Sequence, residues 1–313
     1  MAHRNDKPLL LVALGGNALI RRGERGTADE QFRNLRVPMA QIARLARDYR
    51  IIITHGNGPQ VGNLLLQQEG CPEVPALPLE ILVAQTQGQI GYMIESTLDK
   101  ELANLGEDGK HLLVSLLSYV VVDPDDPAFS EPTKPIGPTY DAADLPRLPW
   151  PVARTAGGGY RRVVASPQPV TIVEKKEICK LVTMGFIVVC CGGGGIPVIR
   201  EGRGFHGIDA FIDKDLASAK LAEEVGVDMF VIATDVPGAF LHLGTPQEEF
   251  LSTLSVAQGR CYLAEGHCPP GSMGPKVEAF LRFVVQGGKR AVITSIEEIE
   301  GAVAGTSGTV ITA

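Results

Sequence analysis

Long apolar runs are missing from this sequence of 313 residues. No stretch approaches the roughly 18 to 20 apolar residues that a membrane-spanning helix needs. The opening residues, M-A-H-R-N-D-K-P, also lack the long apolar segment of a signal peptide. Hydrophobic residues nevertheless make up 44% of the chain, which is enough to bury a sizeable core. We therefore expect a globular protein of the cytoplasm with no membrane partner.

Several motifs that would assign other functions are absent as well. The six cysteines form no C-x-x-C pair and no histidine lies at zinc-finger spacing, so the sequence indicates neither a disulfide scaffold nor a metal held by protein ligands. A net charge of -7 argues against nucleic-acid binding, although a local cationic pocket is compatible with it. There is no Walker A pattern G-x-x-x-x-G-K-[ST], and the H-R-D and D-F-G motifs of protein kinases do not occur.

The residues that are present alternate between short apolar runs and amphipathic patterns. The apolar runs read as strands buried on both faces, and the segments between them show helical spacing. They lie at residues 9–14, 51–53, 186–191, 229–233 and 290–294. Such alternation predicts an α/β protein, with a mostly parallel sheet covered by helices on both faces.

One segment departs from this pattern. Residues 124–169 contain ten of the 22 prolines and the only tryptophan, Trp150. Proline disfavours the interior of both helices and sheets, so we expect an irregular excursion from the central sheet that forms a protruding lid or subdomain.

Three glycine clusters directly follow predicted strands. They are Gly15-Gly16, Gly56-Asn57-Gly58 and the run from Gly192 to Gly195. Ligands of parallel sheets bind beyond the carboxyl ends of the strands, and glycine lets backbone N–H groups approach anionic oxygens there. We therefore expect all three clusters to meet at one edge of the sheet.

A dinucleotide-binding dehydrogenase is the alternative that these glycines raise. The spacing of Gly56, Gly58 and Gly62 resembles a variant of the dinucleotide fingerprint. The fingerprint requires an acidic residue at the end of a second strand about 20 positions on, whereas Glu80 opens a long helical pattern. This alternative ranks last.

The stretch Asp213-Lys214-Asp215 stands at the start of an Ala/Leu-rich helix. The positive end of the helix dipole favours the two carboxylates and disfavours the ammonium group of Lys214. One interpretation is that Asp213 caps the helix while Lys214 lies in solvent. The other is that Lys214 binds an anion such as phosphate, which the positive end of a helix also favours.

Six motifs, taken together and in order, resemble the carbamate kinases of the amino acid kinase family over residues 10–312. They are L-V-A-L-G-G-N-A-L, H-G-N-G-P-Q-V-G-N-L-L-L-Q, P-T-K-P-I-G-P, C-G-G-G-G-I-P, I-D-K-D-L-A-S and P-G-S-M-G-P-K. The resemblance implies a three-layer open αβα sandwich in two lobes. Residues 1–205 would bind the acyl phosphate and carry the protruding subdomain, and residues 206–313 would bind the nucleotide.

The resemblance also implies a reaction and its participants. A homodimer would catalyse Mg²⁺-dependent, reversible phosphoryl transfer between carbamoyl phosphate with ADP and carbamate with ATP. The expected setting is ATP formation during the breakdown of arginine and carbamoyl phosphate.

The same resemblance assigns roles to individual residues. Lys214 and Lys276 would stabilise the transferring phosphoryl group, Asp215 would orient them, and Lys134 would reach the acyl phosphate. The backbone cradle for carbamoyl phosphate would comprise Gly15, Gly16, Asn17, Gly56, Asn57, Gly58, Gly193 and Gly194. The nucleotide side would comprise Thr234, Asp235, Val236 and Met273. His55 is expected to be a hydrogen-bonding loop residue, because this chemistry needs no general acid or base.

Two segments depart from the family pattern. Residues 155–162 read T-A-G-G-G-Y-R-R, so that Gly158 and Tyr160 replace an arginine and a tryptophan. Residues 237–244 lack the tyrosines often found near the adenine. Two other functions stay open: a kinase for a different small carboxylate or phosphate acceptor, and a non-catalytic regulatory homologue.

Overall fold

The computed structural model describes residues 7–155, 158–269, 271 and 273–313. The strands are β1 (Leu9–Leu14), β2 (Arg50–His55), β3 (Leu112–Ser115), β4 (Tyr119–Val122), β5 (Lys134–Tyr140), β6 (Val152–Arg154), β7 (Tyr160–Val164), β8 (Pro169–Ile172), β9 (Phe186–Val189), β10 (Ile196–Glu201), β11 (Gly204–Gly207), β12 (Met229–Thr234), β13 (Ala239–Leu241), β14 (Glu249–Leu251), β15 (Thr253–Ser255), β16 (Arg290–Ser295) and β17 (Thr309–Thr312). The helices are α1 (Ala28–Leu45), α2 (Gly58–Glu69), α3 (Leu79–Asn104), α4 (Lys175–Thr183), α5 (Lys214–Val225), α6 (Val256–Ala264), α7 (Met273–Val285) and α8 (Ile299–Ala304).

An eight-stranded sheet forms the centre of the molecule, in the order β15-β17-β16-β12-β1-β2-β9-β3. Every neighbouring pair is parallel except β16 with β17. The prediction of a mostly parallel sheet is therefore confirmed. The pairing of β1 with β12 joins strands from the first part of the chain to strands from the last part.

Strand β1 shows why its sequence is continuously apolar. Successive side chains of a strand point to opposite faces, and both faces of this sheet are covered. Leu10, Val12 and Leu14 pack in one core with α1, α3 and α8, while Leu9, Leu11 and Ala13 pack in a second core with α4, α5 and α7. The predicted three-layer αβα arrangement is thereby confirmed.

The proline-rich segment leaves the central sheet, as predicted, but it is only partly irregular. Its strands form a separate three-stranded sheet in the order β5-β7-β6. Pro135 and Pro138 lie on β5, which is an edge strand of that sheet, and an edge strand tolerates proline because half of its N–H groups need no partner. Ile136 and Val164 of this sheet pack against Val61 and Leu65 of α2.

A second small sheet was not predicted. It has four strands in the order β11-β10-β4-β8. The single apolar stretch at residues 112–122 thus divides between two sheets, since β3 lies in the central sheet and β4 in this one. The hairpin of β10 and β11 follows the last glycine cluster directly.

No helix in the described part of the chain combines the length and the apolar composition that crossing a bilayer requires.

Candidate active site

The three glycine clusters meet at one edge of the central sheet, as predicted. They follow β1, β2 and β9, which are neighbours in the sheet and run parallel. A methyl group added to Gly56 would lie 3.3 Å from the backbone nitrogen of Gly16, and one added to Gly193 would lie 2.0 Å from Nδ2 of Asn57. Glycine is therefore needed at Gly193 for close packing of two loops, and its φ of 66° also favours glycine.

These glycines differ in what their N–H groups can bind. The N–H groups of Gly15, Gly56 and Gly194 donate to main-chain carbonyl groups of Ala233 at 2.8 Å, Leu14 at 3.0 Å and Cys191 at 3.1 Å. Those three glycines therefore hold the loops in place. Gly16 and Asn17 begin a short 3-10 helix and Gly58 begins α2. N–H groups in the first turn of a helix have no partner within it, so these can donate to an anion.

A cavity of about 260 Å³ lies where the clusters meet. The residues lining it are Gly16, Gly56, Asn57, Gly58, Pro59, Lys134, Gly193, Phe211, Ile212, Asp213, Lys214, Asp215, Gly271 and Lys276. All four residues predicted to be catalytic are among them. Gly15, Asn17 and Gly194 are outside this lining, although each belongs to a loop that forms it.

Helix α5 brings Lys214 and Asp215 into the cavity wall. Asp213 caps the helix, since its Oδ1 accepts a hydrogen bond from the Asp215 N–H at 2.9 Å. The Lys214 side chain is only 13% exposed and donates to Oδ1 of Asp215. Lys276, from α7, donates to Oδ2 of the same carboxylate at 2.9 Å. The interpretation that Lys214 lies in solvent is therefore wrong, while the capping role of Asp213 is confirmed.

Burial and charge oppose each other in this cluster. Burial disfavours the Asp215 carboxylate, but the ammonium groups of Lys214 and Lys276 outweigh this effect and hold its pKa well below the usual range. Burial also lowers the pKa of Lys214, and Asp215 compensates only in part. For Lys276 the same carboxylate outweighs burial and raises the pKa. Asp215 thus stabilises two ammonium groups side by side.

Lys134 reaches the same cavity from the separate three-stranded sheet. It is the first residue of β5, and its side chain is largely buried. Its Nζ donates to Oδ2 of Asp213. Three ammonium groups and two carboxylates consequently face the cavity, which leaves one excess positive charge. An excess of cations beside unpaired N–H groups suits a phosphate-bearing ligand.

Sequence reasoning assigned Asp213 only a capping role. Its contact with Lys134 joins residues 79 positions apart, and no local pattern encodes such a pairing. The signal that was available is the second carboxylate of I-D-K-D, which doubles the negative charge around Lys214.

His55 lies beneath the glycine loops. It is buried, and its Nδ1 donates to the Gly56 carbonyl oxygen at 3.1 Å, since a carbonyl can only accept. Burial lowers its pKa to about 4, so the imidazole is neutral at pH 7. This geometry agrees with the expected role as a hydrogen-bonding loop residue.

The residues predicted for the nucleotide side lie next to the cavity and do not line it. Thr234 ends β12, and its Oγ1 donates to Oδ1 of Asp235 at 3.1 Å. A methyl group added to Gly15 would lie 3.6 Å from Cα of Thr234. Val236 follows on the same loop, and Met273 begins α7 one turn before Lys276. In P-G-S-M-G-P-K, the residues Pro270 and Ser272 lie outside the described residues, as do Ala156 and Gly157 in residues 155–162.

Among the described residues, no group of three or more His, Cys, Asp or Glu side chains is arranged to hold a metal ion.

Comparison with known proteins identifies the family. The family model of the amino acid kinase family matches residues 8–295. The chain belongs to the amino acid kinase family. It is 47% identical to the carbamate kinase of Pyrococcus furiosus over 96% of this chain and 98% of that protein. It is 46% identical to the carbamate kinase of Haemophilus influenzae over 97% of this chain and 96% of that protein.

Solved structures agree with this assignment. The carbamate kinase of Giardia lamblia bound to AMP-PNP superposes with a TM-score of 0.91 and 36% sequence identity, covering 98% of this chain and 99% of that one. As an amino acid kinase with carbamate kinase relatives along nearly its full length, the chain is a phosphotransferase. The resemblance drawn from the six motifs is thereby confirmed.

Proposed function

We propose that this phosphotransferase is a carbamate kinase that exchanges a phosphoryl group between carbamoyl phosphate with ADP and carbamate with ATP. The observation that carries the proposal is the cluster of Lys134, Lys214 and Lys276 on two carboxylates, facing the glycine loops. The cluster lines a cavity of about 260 Å³. The high identity to carbamate kinases along nearly the whole chain supports the choice of substrate.

The proposed transfer is a direct displacement at phosphorus. A terminal oxygen of the ADP β-phosphate attacks, the bond between phosphorus and the carbamoyl oxygen breaks, and its electron pair leaves with carbamate. No proton moves, so no general acid or base is required, which fits a neutral, buried His55. Catalysis then depends on positioning and on stabilising negative charge.

The residues of the cavity divide these tasks. Lys214 and Lys276 lie beside the phosphoryl group and stabilise the charge that spreads over its oxygens. Asp215 holds both ammonium groups in position. Lys134 contacts the acyl phosphate. The N–H groups of Gly16, Asn17 and Gly58 donate to the phosphate oxygens, and Gly15, Gly56, Asn57, Gly193 and Gly194 shape the cradle.

The nucleotide occupies the neighbouring surface around Thr234, Asp235, Val236 and Met273. On this proposal residues 1–205 bind the acyl phosphate and residues 206–313 bind ADP. Mg²⁺ is part of the substrate and arrives coordinated by the nucleotide phosphates, where it neutralises charge between donor and acceptor. The part of the chain that the structure describes offers three lysines there and no cluster of carboxylates that would hold a second ion.

The biological setting is also a proposal. All six cysteines lack a disulfide partner, which suits the reducing cytoplasm. A homodimer is supported by exposed apolar side chains beside the edge strand β3, namely Leu112 and Leu117. The direction we propose is ATP formation in arginine catabolism, since carbamoyl phosphate is a mixed anhydride that readily phosphorylates ADP.

A panel of phosphoryl donors tests the proposed substrate. ATP formation from ADP and Mg²⁺ is measured with carbamoyl phosphate, acetyl phosphate and other acyl phosphates of small carboxylic acids. Carbamoyl phosphate should give the highest kcat/KM. Preference for another acyl phosphate would identify a kinase for a different acceptor, and no turnover from a folded, ADP-binding protein would identify a regulatory homologue.

A further inference from the structure

A second cavity, of about 480 Å³, adjoins the one that holds the lysine cluster. The two share Gly58, Pro59, Lys134 and Phe211 as walls. The second cavity is bounded by α2 on one side and by β5 and β7 on the other. It therefore leads to the lysine cluster from the side of the three-stranded sheet.

Arg161 of β7 lines this second cavity and has no acidic partner in the part of the chain that the structure describes. Its Nε donates to the main-chain oxygen of Gly137 at 3.0 Å. Over the described residues no carboxylate comes within ion-pair distance of its guanidinium group, and burial alone lowers its pKa. The next residue, Arg162, is different, because it pairs with Asp209 at 3.2 Å and lies over the Trp150 ring.

An uncompensated, half-buried guanidinium group is costly unless something offsets its charge. The Gly137 carbonyl accepts a hydrogen bond from Nε only, and none of the described residues accepts one from the terminal N–H groups of this cavity-lining side chain. Arg161 is thus arranged to bind an anion that the folded chain does not itself supply.

The other charges of this cavity favour the same ligand. Lys134 and Arg25 also line it, and Glu24 is its single carboxylate. Oε2 of Glu24 already accepts hydrogen bonds from the Arg21 N–H at 2.8 Å and from Asn34. Lys134 already pairs with Asp213, so the guanidinium groups of Arg25 and Arg161 remain against one occupied carboxylate. This cavity therefore has a positive excess.

We propose that Arg161, with Lys134 and Arg25, forms an outer subsite that binds the small acyl phosphate dianion before it enters the reaction cavity. Lys134 lines both cavities and passes the phosphate from one to the other. The identity of the ligand rests on the proposed function. The subsite itself rests on the cavity and on a guanidinium group that has no carboxylate partner among the described residues.

Steady-state kinetics of Arg161→Met test this subsite, with Arg154→Met as the matched control. Arg154 lies on β6 of the same small sheet, is exposed and does not line the cavity. At saturating ADP, Arg161→Met should lower kcat/KM for carbamoyl phosphate by about 10- to 100-fold, the usual effect of losing a hydrogen bond to a charged group. Its kcat and its KM for ADP should stay within about threefold of wild type, and Arg154→Met should match wild type throughout.

Three results would overturn the subsite: unchanged kcat/KM in Arg161→Met, an equal loss in Arg154→Met, or a loss confined to kcat. If Arg161→Met fails to fold, Arg161→Lys retains the charge and should still raise KM for carbamoyl phosphate. Binding of inorganic phosphate, followed by calorimetry, separates this proposal from the reaction. If wild type does not use carbamoyl phosphate, the proposed reaction is wrong. If wild type and Arg161→Met bind inorganic phosphate with equal affinity, the proposed subsite is wrong.

Discussion

Lys134 donates from its ammonium group to Oδ2 of Asp213, and this contact ties the separate three-stranded sheet to the start of α5. The other oxygen of Asp213 accepts from the Asp215 N–H at 2.9 Å. One carboxylate therefore caps the helix that carries Lys214 and also positions a lysine from another sheet. These two tasks can be separated by mutation.

Asp213→Asn and Asp213→Ala should differ in stability but agree in their effect on β5. Asparagine caps helices about as well as aspartate, whereas alanine at this position lowers the free energy of unfolding by about 1 kcal/mol. Neither carries the negative charge that forms the ion pair with the ammonium group of Lys134. We expect faster amide hydrogen exchange in β5 and β7 for both variants, and a lower urea midpoint for Asp213→Ala only. Wild-type exchange in Asp213→Asn would show that the ion pair does not anchor the sheet.

Removing the charge of Asp215 should lower the free energy of unfolding far more than either Asp213 substitution. Asp215→Asn leaves Lys214 and Lys276 buried without their carboxylate, which costs about 3 to 5 kcal/mol for a buried pair. The folded pKa of Asp215 is depressed, so its contribution is complete above the unfolded value of 3.8 and is lost as the pH falls below it. The gap in unfolding free energy between wild type and variant should be constant from pH 5 to 7 and narrow below about pH 4.

An exposed ion pair supplies the control for Asp215. Glu300 pairs with Arg44 at the surface, and such pairs contribute only about 0 to 1 kcal/mol. Glu300→Gln should therefore cost little at any pH. If Asp215→Asn were equally mild, the two lysines could not depend on Asp215 in the way described.

His55 should make the stability of the protein sensitive to mild acid. Its folded pKa is about 4 and its ordinary value is 6.5, so the unfolded chain binds more protons between these two values. Stability is then fully present above about pH 6.5 and falls as the pH drops toward 4, by about 3 kcal/mol in total. His55→Gln should flatten this slope in urea-denaturation curves recorded from pH 4 to 7. A slope equal to that of wild type would mean that His55 is not the group responsible.

Gly193→Ala should disrupt the glycine loops through direct contact with Asn57. The added methyl group would lie 2.0 Å from Nδ2 of Asn57, in addition to the strain of a positive φ. Gly202 is the control, because its φ of 57° carries similar strain while no atom lies within 4 Å of the added group. Gly202→Ala should cost about 1 kcal/mol and leave activity intact, whereas Gly193→Ala should abolish ATP formation. Equal activity in the two variants would show that the loops do not meet as described.

The central sheet could be predicted from the sequence because most of its strands are continuous apolar runs. β1, β2, β9 and β12 are buried on both faces, so each contains a continuous apolar run. A glycine turn follows β1, β2 and β9. Parallel strands place those turns on one edge, and the convergence of Gly16, Gly56 and Gly193 followed from that rule alone.

Other elements were missed for identifiable reasons. Strand β10 contains Pro197, and proline argues against an interior strand, although β10 pairs with both β4 and β11. Helices α6 and α8 span nine and six residues, too few to show helical periodicity clearly. The contact of Lys134 with Asp213 depends on the packing of distant segments, which local sequence does not encode. The same holds for the lack of a carboxylate partner for Arg161 among the described residues.

ATP formation by purified wild type and by Lys214→Met, from carbamoyl phosphate, ADP and Mg²⁺, tests the central claim most directly. Methionine keeps the length of the side chain and removes the charge, so kcat should fall by at least 10²- to 10³-fold, as when one stabilising donor is lost, with the fold preserved. Lys175→Met is the matched control, since Lys175 pairs with Glu224 at 2.8 Å and does not line the cavity. Rapid ATP formation in wild type and Lys175→Met, but not in Lys214→Met, is the predicted result. Near-normal kcat in Lys214→Met would contradict it, because the lysine cluster could then not be the group that stabilises the transferring phosphoryl group.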